Sequence, residues 1–165
     1  MQDSAKNYFA PLGELVVRFN NLELLLGGFI ASLAHLDSQK GLCITAEMSF
    51  SRKLDALKSL LEFCVQDEVS RSIIEELIKK MSACEQKRNT FIHSAWIPDS
   101  SNQTISRVKS SAKRKRGLQF GLHDASVEEI KLVNTELESV SGNLTRIWTD
   151  LQSANIAEGP LNKNG

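Results

Sequence analysis

Little in this chain bends or staples it. Three prolines and nine glycines in 165 residues exclude a collagen-like or low-complexity chain and leave room for long helices. Three cysteines, Cys43, Cys64 and Cys84, are an odd number with no close pair, which suggests neither a disulfide framework nor a zinc site. Each lies within or beside an apolar run, so buried structural thiols are expected. Aromatic residues make up 6%, and lysines do not interleave with them as on a sheet that binds single strands. There is no Gly-rich phosphate loop, no paired zinc ligands and no Ser-His-Asp order, so no metal site and no cofactor are expected. The longest uncharged apolar run, Leu24 to Leu36, has 13 residues, whereas a bilayer span needs about 20. The first residues, MQDSAKNYF, include an acid and lack the apolar core of a signal peptide. The expectation is a soluble protein in a reducing, cytoplasmic setting with no membrane partner.

What the chain does have is the size and composition of one domain. Its hydrophobic share is 41% and its charged share 24%, ordinary values for a soluble fold. The net charge is zero by cancellation. Residues 104–122 hold six basic residues and no acid, while the remainder has 14 basic and 20 acidic residues. Such a concentrated basic element can draw a polyanion to one place.

Hydrophobic periodicity predicts four antiparallel helices. Leu12, Leu15, Val16, Phe19, Leu22, Leu26, Phe29, Ile30 and Leu33 repeat at three and four residues, placing a first helix from about Pro11 to Leu36. Gly27-Gly28 inside it calls for close packing against another backbone. Residues 37–48 read as a loop. Ser49 or Ser51 caps a second helix with Phe50, Leu54, Leu57, Leu61 and Cys64 as its stripe. Asp67 caps a third, which carries Ile73, Leu77, Met81, Cys84 and Phe91 and runs to about His93. Pro98-Asp99-Ser100-Ser101-Asn102 is turn chemistry. Thr104–Lys109 and Leu118–Leu122 then read as a β-hairpin or loop insertion, about 97–123, with Lys113–Arg116 at its tip. Ser126 and Glu129 fit a capping box that opens the last helix, with Ile130, Val133, Leu137, Val140, Leu144, Ile147 and Leu151 on one face. The expected fold is all-α: an antiparallel four-helix bundle in a single domain, 1–154, with a polar tail at 155–165.

The end of the third helix gathers chemistry. Arg88 falls on the apolar stripe of 77, 81, 84 and 91, where an unpaired guanidinium is costly. Glu85, Asn89 and His93 step by four along the neighbouring face. Imidazole moves protons near neutrality, and guanidinium makes a fork of donors for phosphate. Simpler roles exist for each. His93 can be a cation at a helix C-terminus, and Arg88 a structural ion-pair partner. Glu23, between Phe19 and Leu26, is expected to pair with Arg88. Trp96 reads as a core plug before a base-stacking platform.

Arg88-Asn89 followed by His93 at the end of the third helix of a bundle resembles the HEPN superfamily, whose signature is Arg, often a polar residue, then His after four to six intervening residues. The resemblance spans about residues 11–153 as helix order plus this one motif. A second pair, Arg116 and His123, fits the spacing but lies in the hairpin and not at a helix end. The resemblance implies a homodimer that sets two motifs face to face and cuts RNA without metal, leaving 2′,3′-cyclic phosphate ends. It implies Arg88 as the stabiliser of transition-state charge, His93 as general acid or base, and Asn89 as an orienting group for phosphate or His93, with Glu85 as a further orienting candidate; Glu23 supports the site through its expected pairing with Arg88, a structural role before a catalytic one. Lys109, Lys113, Arg114, Lys115 and Arg116 would hold the RNA backbone. Members of this superfamily act as toxins or antiviral defence effectors, so an antitoxin or regulatory partner is expected. Other members are non-catalytic dimerisation modules, and a regulator that binds nucleic acid through the hairpin alone is the remaining alternative.

Overall fold

The computed structural model describes residues 2–99, 104–113, 117–124 and 126–153. These residues form α1 (Gln2–Leu33), α2 (Ser38–Thr45), α3 (Phe50–Cys64), α4 (Glu68–Ile92), β1 (Ala95–Asp99), β2 (Thr104–Lys113), β3 (Gly117–Asp124) and α5 (Val127–Ser153). The protein is thus mostly helical with one small sheet. The tail expected at 155–165 and the basic residues Arg114, Lys115 and Arg116 lie outside the described residues.

Local chemistry starts the helices. Ser49 Oγ accepts from the Arg52 N–H at the head of α3, and Asp67 Oδ2 accepts from Ser70 N–H at 2.8 Å before α4, each meeting a donor that the first turn leaves open. Ser126 Oγ accepts from the N–H groups of Glu128 and Glu129. It also donates to Glu128 Oε2 at 2.9 Å, so the acid that answers this cap is Glu128 and not Glu129. The α5 stripe lies in the core as its spacing requires: Ile130, Leu137 and Leu144 have no exposed surface. On α4 the stripe begins at Ile74, which is buried, while Ile73 is 51% exposed.

Four expectations change. First, α1 starts at Gln2, so Pro11 lies inside the helix. A proline there removes one intrahelical hydrogen bond. Contacts on either side hold the helix through it: Tyr8 lies 5.9 Å from the Trp96 ring, and Asn134 Nδ2 donates to the Pro11 carbonyl at 3.0 Å. Second, the loop expected at 37–48 contains α2. Asp37 caps it through Lys40 N–H, and Gly41 lies so close to α1 that a Cβ would stand 2.3 Å from Ala31 Cβ. Third, the insertion is a three-stranded antiparallel sheet in the order β1-β2-β3. The added strand, β1, is an edge, where Pro98 is tolerated. Fourth, Cys43 is exposed, whereas Cys84 is buried as expected.

By backbone proximity the chain forms two compact units, Met1–Phe19 with Cys84–Glu136 and Asn20–Ala83 with Leu137–Gly165. The second holds α2, α3 and the Gly27-Gly28 pair. A Cβ on Gly27 would meet Thr45 Oγ1 at 2.9 Å, and one on Gly28 would meet the Trp148 ring at 2.9 Å, so both glycines serve close packing. It also contains an apolar cavity of about 610 Å³ beside Leu24, Leu42 and Trp148.

α1 is long and apolar enough over Asn7–Leu33 to cross a membrane by length and composition, with mean hydropathy 1.3. This stretch includes the charged Glu14, Arg18 and Glu23, which lie outside the uncharged run Leu24 to Leu36. Leu15, Leu22, Leu26 and Phe29 of this helix have no exposed surface in the fold, so its apolar side is core.

Candidate active site

The candidate site lies in the unit that holds the sheet. The last turn of α4 leaves carbonyls without helical partners, and three of them are met. His93 N–H bonds the Asn89 carbonyl at 3.2 Å. Ser94 Oγ donates to the Thr90 carbonyl at 2.6 Å. Trp96 Nε1 donates to the Phe91 carbonyl at 3.0 Å, and its ring lies against Phe91 and Tyr8. Trp96 is therefore a cap and a packing element, in keeping with its reading as a plug.

Arg88 is half-buried. Its Nη1 donates to Asn89 Oδ1 at 2.9 Å, and its guanidinium carbon lies 5.0 Å from the centre of the Phe19 ring. A guanidinium over an aromatic face gains about 0.5–2 kcal/mol, depending on desolvation. Arg88 Nε is buried without a hydrogen-bond partner. Among the described residues no carboxylate pairs with Arg88. The expected Glu23–Arg88 pair is corrected: Glu23 Oε1 takes Lys53 Nζ at 2.8 Å. Lys53 is only 5% exposed, so this ammonium needs that carboxylate.

The ring of His93 is exposed just past the end of α4. Glu85 is half-buried one turn before Asn89. Thus Arg88 and Asn89 are joined by a side-chain bond, while His93 is tied to Asn89 through the backbone. Lys109 and Lys113 occupy β2, opposite Gly121 and Gly117 of β3. No group of three or more potential metal ligands occurs among the described residues.

Arg107, in sequence simply one of the six basic residues of 104–122, is brought to the motif by the fold. In the sheet it stands opposite Trp96 on one side and His123 on the other. Its Nη1 reaches the Thr90 carbonyl at 3.4 Å and Ser94 Oγ at 3.5 Å, and its guanidinium lies 5.6 Å from the Phe91 ring centre. Only the pairing of β1 with β2 brings it to the motif, and no spacing along the chain signals that. A cleft of about 460 Å³ opens there, lined by Lys87, Thr90, Phe91, Arg107, Glu129 and Leu132 among others. Lys87 is clamped by both oxygens of Glu136 at 2.6 Å.

Comparison of the chain with known protein families, with curated proteins and with solved structures finds no significant match.

Proposed function

We propose that this protein is a metal-independent endoribonuclease of HEPN type that works as a homodimer in the cytoplasm, as a toxin or antiviral defence effector restrained by a partner. Within this reading α1, α3, α4 and α5 form the four-helix bundle of that superfamily. The observation that carries it is Arg88, a half-buried guanidinium with an amide and an aromatic ring as neighbours and, among the described residues, no carboxylate partner, one turn before an exposed imidazole. A guanidinium already neutralised by an acid has little charge to offer a phosphate. This one keeps it.

The reaction follows from these groups. The 2′-oxygen of one ribose attacks the adjacent phosphorus as its proton passes to a base. The bond from phosphorus to the 5′-oxygen breaks, and that oxygen takes a proton from an acid. The phosphate ends as a 2′,3′-cyclic ester. Arg88 stabilises the added negative charge of the transition state, and Asn89 fixes the guanidinium plane. His93 serves one proton transfer, and His93 of a second copy serves the other. Lys109, Lys113, Arg114, Lys115 and Arg116 hold the backbone of the RNA by charge.

The test is an RNA oligonucleotide beside its fully 2′-O-methylated twin. The reading expects cutting of the first to cyclic phosphate ends and no cutting of the second. Equal cutting of both contradicts a 2′-hydroxyl nucleophile.

A second reading, a non-catalytic interaction module, draws on the packing of Arg88 over Phe19 and on the capped end of α4. In that case Arg88 is a structural cation, and neither oligonucleotide is cut.

A further inference from the structure

The cleft beside the motif contains two cations in different states. Lys87 is neutralised by Glu136. Among the described residues Arg107 has neutral partners only: a carbonyl oxygen, a hydroxyl and the face of Phe91, with hydrogen bonds of 3.4 and 3.5 Å at the long limit. A half-buried guanidinium with long bonds and no ion-pair partner among the described residues readily takes a stronger acceptor, and phosphate oxygens suit its fork. Beside it the cleft supplies an apolar wall, where Leu132 is 59% exposed, and an acceptor, the exposed carboxylate of Glu129. Its volume of about 460 Å³ falls within the range of about 300–1,000 Å³ that single small ligands fill. An anion-binding fork, an apolar wall and a carboxylate acceptor are the complements of a phosphate, a base face and an amino-bearing base edge.

We infer that this cleft is a nucleotide subsite flanking the scissile position: Arg107 binds a phosphate, the base lies against Leu132, and Glu129 accepts from an exocyclic amino group. The inference rests on the ribonuclease reading for its substrate class, yet it concerns residues outside the Arg88–His93 motif. A carboxylate edge favours cytosine or adenine over uracil, because uracil has no exocyclic amino group.

The experiment measures binding of fluorescein-labelled, fully 2′-O-methylated oligo-C and oligo-U over a range of salt, so that cutting does not interfere. The parent protein binds oligo-C more tightly than oligo-U. Arg107→Gln weakens binding several-fold and lowers the salt slope by about one, while Arg107→Lys keeps the slope. Glu129→Gln narrows the difference between the two oligonucleotides. Lys58→Gln, which removes one exposed charge on α3, is the control. Melting curves separate these effects from loss of the bonds that Arg107 makes to α4. Binding that depends on Arg107 in a protein that cuts no RNA upholds the subsite and sinks the ribonuclease reading. Cutting with binding indifferent to Arg107, or equal loss in Lys58→Gln, overturns the subsite. A folded parent that binds neither oligonucleotide also overturns it.

Discussion

Arg88 Nη1 donates to Asn89 Oδ1 at 2.9 Å, so two adjacent residues of one helix are joined through their side chains. Neighbours in a helix point about 100° apart, and only a long side chain can fold back to its successor. The bond orients the guanidinium plane. Asn89→Ala is expected to leave the protein folded and to reduce RNA cutting less than Arg88→Ala does, since it loosens the guanidinium without removing its charge.

The Glu23–Lys53 pair is structural. Glu23→Gln leaves a buried ammonium without its carboxylate and is expected to cost about 2–4 kcal/mol, read as a lower denaturation midpoint. Lys53→Met, which removes the buried charge itself, costs less. Neither change abolishes RNA cutting in protein that remains folded. Loss of cutting in folded Glu23→Gln protein would give the carboxylate a role in the chemistry.

Asp67 makes the start of α4 sensitive to acid. Hydrogen bonds donated by Ser70, first by its hydroxyl and then by its backbone N–H, hold this carboxyl below its ordinary value of 3.8. A depressed carboxyl contributes stability that is complete above the unfolded value and is lost as pH falls through the lower folded value. Asp67→Asn keeps a capping oxygen and removes the titration. The Tm difference between parent and Asp67→Asn is therefore expected to be level between about pH 5 and 7 and to shrink below about pH 4. A difference that grows in acid contradicts the assignment.

The three thiols differ in reactivity. Burial pushes the Cys84 thiol up, with the Glu136 carboxylate adding to it and Lys87 opposing. Burial alone raises Cys64. Thiolate is the reactive form, so brief alkylation at neutral pH is expected to modify the exposed Cys43 first and to spare Cys84 until the protein is unfolded. Mass spectrometry of the peptides reads the order, and early labelling of Cys84 contradicts its place in the core.

What could be read along the chain was what acts locally. Ser49, Asp67 and Ser126 cap helices through N–H groups two or three residues away, and the α5 stripe repeats without a break. What could not be read depends on distant partners. Glu23 finds Lys53 thirty positions on, although a cation nearer the motif was the simpler expectation. α2 carries Gly41, Ile44 and Thr45, poor helix formers, and owes its form to its cap and to Ala31. Arg107 reaches the helix end seventeen residues before it only because β2 folds back along β1. The motif was legible as a spacing, whereas the cleft beside it was not.

In the proposed function Arg88 and His93 cut RNA. The direct measurement is the rate of cleavage of a labelled RNA by purified protein in excess EDTA, for the parent and for His93→Ala of equal Tm. The parent is expected to cut without added metal and His93→Ala to be slower by about 10²-fold or more, the contribution of a positioned acid or base. A parent that cuts only when magnesium is restored, or a His93→Ala protein that cuts at the parental rate, would contradict it.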